Sequence, residues 1–138
     1  MNMNFMLRTA CVWAALAVAA GCGAKTPATS SVTGVVTFNG TPLEGAQVTF
    51  FGEGRPAAGI ADAQGRFQLM TFGPGDGALP GEYVVVITKT EAGSTDPNNP
   101  YAPVRSLIPE RYGDRAKSGL TATVQLGKSN EFTFELTN

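Results

Sequence analysis

From Val32 onward the chain is built of short runs in which apolar and polar side chains take turns at every second position. A period of two marks strands with one face in a core and one in water, and it leaves little room for helices. Leu120–Leu126 sets Leu120, Ala122, Val124 and Leu126 on one face, and Glu131–Leu136 does the same with Phe132, Phe134 and Leu136. Ala46–Phe51 separates Ala46, Val48 and Phe50 from Gln47, Thr49 and Phe51, while Arg66–Phe72 opposes Phe67 and Leu69 to Arg66 and Gln68. Val32–Phe38 is a further strand and Ala57–Asp62 a weak edge strand. Glu82–Thr90 is the most hydrophobic, with Tyr83, Val85 and Ile87 inward and Val84 and Val86 making its back apolar too, so something should cover that back. No stretch carries a 3.6-residue period. Turn signals separate the runs, Asn39-Gly40-Thr41-Pro42 and Gly127-Lys128-Ser129-Asn130 among them, and 17 glycines and 9 prolines fit a turn-rich chain. The expectation is an all-β domain, a seven-strand antiparallel β-sandwich over 32–138.

Packing alone must hold this sandwich together. Of the 2 cysteines, Cys11 and Cys22 both precede it, so Ser31–Asn138 contains no thiol. The absence of histidine removes Ser–His and Cys–His pairs, His-containing zinc sites and imidazole acid–base chemistry. A formal charge of −1 argues against nucleic acid as a partner.

The N-terminal segment reads as an address. Arg8 precedes Thr9–Ala20, an uncharged and mostly apolar run of 12 residues, and small residues follow in Ala19-Ala20-Gly21-Cys22. Counted on to Ala24 the uncharged stretch reaches 16 residues, short of the roughly 20 that a membrane-spanning helix needs. A short basic region, a short apolar region and a small-residue exit describe an export signal. Ala-Ala-Gly-Cys resembles the bacterial lipobox, although Ala19 stands where that motif prefers leucine. The resemblance implies cleavage after residue 21, thioether diacylation of Cys22 and acylation of the new amine with fatty chains such as palmitate. The other readings are an ordinary signal peptide cut near Gly23 or Ala24 and, behind it, a retained signal anchor. Two or three acyl chains, at about 0.8 kcal/mol per buried CH₂, would hold the protein on a bilayer without help from the fold. Residues 22–31, with Gly23–Ser31 small, polar and interrupted by Pro27, then form a lipidated tether.

Ala92–Gly119 breaks the alternation and holds four of the prolines. A loop of 28 residues in a compact domain tends to be functional or to cover something. Leu107, Ile108 and Tyr112 are expected to pack on the sandwich and shield the back of Glu82–Thr90, leaving the tip Ser94–Pro100 mobile.

Three segments together resemble a known family. Gly34 to Ala46 runs from a strand through a tight turn into Pro42-Leu43-Glu44-Gly45-Ala46; Asp62-Ala63-Gln64-Gly65-Arg66-Phe67 and Pro80-Gly81-Glu82-Tyr83 follow at the right distances. In this order they are similar to carboxypeptidase regulatory-like, transthyretin-type domains, and Thr71 to Gly77, Ile108 to Tyr112 and Ser118 to Thr121 resemble small lipoproteins of this kind from planctomycete bacteria. The resemblance implies a transthyretin-like sandwich with immunoglobulin-like Greek-key connections. It implies no peptidase, because the zinc peptidase domain such modules accompany elsewhere is absent.

Sharper chemistry finds little support among the residues. The transthyretin-fold hydrolase of urate breakdown needs histidines that this chain lacks. Asp62, Asp76, Asp96 and Asn98-Asn99 lie in loops but lack the dense spacing of a calcium loop. A Lys–Asn isopeptide crosslink has no lysine in Val32–Phe38 and no asparagine in Glu131–Leu136 to use. Glu110 to Lys117 gathers Arg111, Arg115 and Lys117 but interleaves Glu110 and Asp114, which reads as a solvated loop. A sugar face would rely on Tyr101 and Tyr112, because Trp13 belongs to the signal segment. The expectation is therefore a non-enzymatic lipoprotein without cofactor or metal, exported and lipid-anchored through Cys22 in the cell or outer membrane. Its domain would face the periplasm or the cell surface as a structural or interaction module, with an envelope protein or polysaccharide as partner. The alternative is a carbohydrate- or peptide-binding module that uses the loop 92–119 and the tyrosines.

Overall fold

A computed structural model describes residues 23, 25–91, 97–98 and 103–138. The signal segment 1–21, Cys22, Tyr101 and the loop tip 94–100, apart from residues 97 and 98, lie outside the described residues. Among the described residues eight strands follow one another: β1 (Val32–Phe38), β2 (Thr41–Pro42), β3 (Gln47–Phe51), β4 (Ala57–Ile60), β5 (Arg66–Gln68), β6 (Gly81–Thr88), β7 (Leu120–Val124) and β8 (Asn130–Leu136). A 3-10 helix, Glu110–Gly113, lies between β6 and β7. Each alternating run of the sequence becomes a strand, and the eighth, β2, is two residues folded back on β1 by the Asn39-Gly40 turn. Both turn residues have positive φ, 50° at Asn39 and 81° at Gly40, which is what such a tight reversal requires.

The strands form two sheets. In one, β1 lies between β8 on one side and β5 and β2 on the other; the second has the order β4-β3-β6-β7. All pairings are antiparallel except β1 with β8, which run parallel in register from Val32↔Asn130 to Phe38↔Leu136. This corrects the expectation of a wholly antiparallel sandwich. The Gly127–Ser129 turn does not fold β8 back beside β7. It carries the chain across to the other sheet, so β8 starts at the end where β1 starts and must run the same way. Leu126, expected inward, falls beyond the end of β7 and is 57% exposed.

Both sheets turn their apolar faces inward. Phe50 is fully buried at the centre, with Tyr83 and Phe132 rings 5.7 Å away and Phe134 at 6.1 Å. Phe67 stacks on Phe134 at 6.1 Å, and Val32, Val36, Val48, Leu69, Val85, Ile87 and Leu136 fill the remainder. Gly34 is the inward residue of β1 between Val32 and Val36, and a Cβ there would lie 2.5 Å from Phe67 Cζ. The missing side chain is what seats that ring.

β4 and β5 close one side of the sandwich. They belong to different sheets, but Ala58 and Met70 exchange backbone hydrogen bonds (2.9 and 3.0 Å) and Asp62 N–H donates to Arg66 O at 2.8 Å. Asp62 also accepts the N–H groups of Gln64 and Arg66 through its carboxylate, each at 2.9 Å, which fixes the turn.

The strand directions give the molecule two distinct poles. Ser30, the turn 52–56, the loop 69–80 and the arch 125–129 meet at one; the turns 39–46 and 61–65, the long loop and the end of β8 meet at the other.

Candidate functional site

At the first pole the polypeptide leading into β1 is fastened to the fold. Residues 25–28 are exposed, whereas Ser30 is buried and exchanges backbone hydrogen bonds with Ala78 (2.8 and 3.0 Å). Ser30 Oγ accepts the Gly127 N–H at 3.1 Å. Ser31 O accepts Asn130 N–H at 2.9 Å and Asn130 Nδ2 at 3.3 Å. Asn130 also accepts Gln125 N–H through Oδ1 (2.9 Å) and donates to Gln125 O (3.1 Å) and Lys128 O (3.0 Å). One buried amide thus shapes the arch and ties it to the incoming chain. Within the residues expected to form the tether, Ser30 is buried against the sandwich, while Ser31 is exposed and engages it through its carbonyl.

Beside it, Thr71–Gly77 wraps around Asp76. Oδ1 accepts Thr71 N–H (2.7 Å), Oδ2 accepts Phe72 and Gly73 N–H (2.9 Å each), and Thr71 Oγ1 donates to Gly77 O (2.7 Å). These N–H groups, that of Thr71 foremost, favour the ionised form and lower the Asp76 pKa from its usual 3.8, outweighing partial desolvation. The sequence placed Asp76 among loop carboxylates of the type that can hold a cation; its oxygens are turned onto the backbone instead. Asp96 and Asn99 lie outside the described residues. Among the described residues no group of three or more His, Cys, Asp or Glu side chains converges.

The long loop leaves from the opposite pole. Its base is closed by Glu91 N–H to Arg105 O and Leu107 N–H to Lys89 O, both 2.8 Å. The 3-10 helix then packs against β6, whose second half β7 does not reach, since β7 pairs only with Gly81 to Val85. Ile108 and Tyr112 join the core as expected, but Leu107 remains 45% exposed. Tyr112 is only 7% exposed. Its hydroxyl accepts Thr137 N–H (3.0 Å) and Arg111 Nη2 (3.1 Å) and donates to Thr137 O (3.1 Å). Thr137's backbone, then Arg111, lowers the phenol pKa. The ring pins the end of β8 and has no open face for a ligand, which removes Tyr112 from the tyrosine pair that the sequence suggested.

The surrounding charges are similarly engaged. Arg111 donates to Thr137 O at 2.7 Å and stacks on Tyr112 at 4.7 Å; Arg115 lies 4.5 Å over the Phe51 ring, covering part of the apolar back of the β3–β6 sheet. Lys117 pairs with Asp114 at 3.8 Å on the surface. Lys117 is thus matched by its neighbour, and the two arginines serve the fold.

Two shallow grooves mark the outer surface. One, of about 980 Å³, runs along the β4–β5 side between Val35, Ile60 and Met70 with Arg66, Gln47 and Gln68 at its walls. The other, about 950 Å³, lies among Phe51, Glu53, Glu82, Tyr83 and Arg115. Tyr83 donates its hydroxyl to Leu79 O at 2.8 Å, and burial raises its pKa. Neither set couples a nucleophile to a base.

No protein-family model matches the chain, and no curated protein does. Among solved structures it is similar to a DUF3823 family protein from Parabacteroides merdae, at 18% identity and a TM-score of 0.42, over 81% of this chain and 47% of that one. It is similar to the dioxygenase domain of a dioxygenase carbohydrate-binding protein fusion from Streptomyces sp. SirexAA-E (19% identity, TM-score 0.38, 84% and 82% covered). A third likeness is to a 9R-lipoxygenase from Cyanothece (16% identity, TM-score 0.40, 80% and 16% covered). The chain spans about half the length of the first. Likenesses at this level assign no activity to the chain.

Proposed function

We propose that the protein is a membrane-tethered, non-enzymatic lipoprotein of the cell envelope, acylated at Cys22, whose transthyretin-like sandwich of the carboxypeptidase regulatory type serves as a structural or interaction module. The observation that carries this reading is the anchoring of Ser30. Exposed chain enters the sandwich at one pole eight residues after Cys22, while the 28-residue loop leaves from the other. A tether and a presenting loop at opposite ends suit a module held off a bilayer. Intact-mass analysis of the mature protein should find residues 1–21 gone and acyl chains on Cys22. Cys22→Ser should move the protein from the detergent phase to the aqueous phase; a Cys22→Ser protein that stays in the detergent phase refutes the anchor.

A glycan- or peptide-binding role for the long loop is the second reading. Val104 and Leu107 are exposed at its base, close to Tyr101 in sequence. Under this reading Tyr101→Ala abolishes retention on envelope polysaccharide or peptide. Equal retention of wild type and variant rejects it.

A further inference from the structure

The two sides of the sandwich end differently. On one, β4 and β5 close on each other through Ala58 and Met70. On the other, β7 and β8 are the outermost strands of their sheets, and among the described residues no strand pairs with the outer edge of either. Backbone alternation shows which groups of β8 face outward. Asn130 N–H donates to Ser31 O and Leu136 O accepts Asn39 N–H, at 2.9 and 2.8 Å, so the even-numbered residues of β8 turn their backbone to β1. Glu131, Thr133 and Glu135 therefore point their N–H and C=O groups away from the sheet. Their side chains are exposed on the outer face, while Phe132 on the inner face is only half-buried. β7 is shorter, five residues against seven, and carries no charged side chain.

We propose that the outer edge of β8 is a docking site for an extended segment of a partner protein in which cationic and apolar side chains alternate. Added antiparallel, such a segment satisfies the outward N–H and C=O groups of Glu131, Thr133 and Glu135. Its cations stand directly opposite Glu131 and Glu135, about 5 Å away. Its apolar side chains face inward and finish the burial of Phe132. The two glutamates set the charge of the edge because no cation lies as close to it. Their β1 neighbours Thr33, Val35 and Thr37 are neutral. Arg66 lies on β5, two strand spacings or about 10 Å from Thr133. Lys128 lies in the arch before the strand begins, and Arg111 is held by Thr137 O beyond its end. A second copy of this chain fits the edge poorly, since antiparallel pairing centred on Thr133 sets Glu131 of one copy against Glu135 of the other at both ends. The proposal rests on the reading of the domain as an interaction module and is independent of the lipid anchor.

The test titrates the full-length protein, matured and held in non-ionic detergent, with two fluorescent peptides as long as β8, one alternating lysine and valine and the other glutamate and valine. The lysine peptide should bind several-fold more tightly. It should slow amide exchange at Glu131, Thr133 and Glu135 and leave Thr121 and Thr123 on β7 unchanged. Thr133→Pro removes an outward N–H and leaves the bonds to β1 in place, so with an unchanged far-UV circular dichroism spectrum it should abolish binding. Glu131→Lys/Glu135→Lys keeps the backbone edge and should reverse the preference to the glutamate peptide. Equal affinity for the two peptides, binding of neither, or protection of other amides alone overturns the docking edge. So does binding that survives Thr133→Pro, or a preference unmoved by the charge reversal. Detergent-phase partition set by Cys22 is untouched by any of these results, so the anchor and the docking edge fail separately.

Discussion

Asn130 offers the sharpest probe of how the domain holds its incoming chain. It is buried, and its side chain makes four polar contacts within 3.3 Å: Oδ1 accepts the Gln125 N–H, and the two hydrogens of Nδ2 are shared among the carbonyls of Ser31, Gln125 and Lys128. Asn130→Ala removes all of them and strands the Gln125 N–H. With each such bond worth about 0.5–1.5 kcal/mol net, and the longer ones contributing least, the loss should be about 2–3 kcal/mol. Asn130→Asp tests the geometry harder, because it keeps the acceptor for Gln125 and nearly the same volume. At neutral pH, however, it sets a carboxylate against three carbonyl oxygens, so it should cost more than alanine. Those oxygens favour the protonated acid, which raises its folded pKa above the unfolded value near 3.9. The stability of Asn130→Asp relative to Asn130→Ala is therefore greatest below about pH 4 and lost as pH rises towards the folded pKa. Urea melts followed by far-UV circular dichroism on the Cys22→Ser background, run at pH 7 and at about pH 3.5, read both effects. The reasoning fails if Asn130→Asp matches wild type at neutral pH, or if alanine costs under about 0.5 kcal/mol.

Two further outcomes follow from the same geometry. Phe67→Ala, which empties the space that Gly34 leaves for the ring, should cost about 3–5 kcal/mol in urea melts; a loss under about 1 kcal/mol would mean the ring contributes little to the core. Asp76→Asn should destabilise the protein by about 1 kcal/mol near neutrality by weakening the charged acceptor for Thr71, Phe72 and Gly73. Because the Asp76 pKa is lowered from 3.8, its contribution is present above that value and fades as pH falls through the folded pKa, so the gap to wild type should close in acid melts.

The faces of the strands were legible in the sequence, and their neighbours were not. Alternation at Phe132, Phe134 and Leu136 says which side of β8 meets the core, but a face has the same pattern whichever strand lies alongside. The parallel pairing with β1 depends on whether a four-residue turn reverses the chain or crosses between sheets, and Gly-Lys-Ser-Asn permits both. The apolar back of β6 correctly announced a cover, supplied in part by Arg115 lying on Phe51 rather than by Leu107. Asn130 was read only as part of a turn and Asp76 only as a loop carboxylate, because each stands in a run of ordinary turn residues. Their importance comes from where their side chains point. Thr71-Phe72-Gly73-Pro74-Gly75-Asp76-Gly77 held a signal, since a carboxylate three to five residues after successive N–H groups can gather them.

The side-by-side course of β1 and β8 has a mechanical consequence. Load entering at Ser30 and leaving beyond Leu136 pulls these neighbours past one another lengthwise, so the ladder spanning all seven registered residue pairs must give way together. An antiparallel pair gripped at one end would peel apart a rung at a time. A domain wired in this manner would resist extension between Ser30 and Leu136 better than one whose terminal strands peel apart.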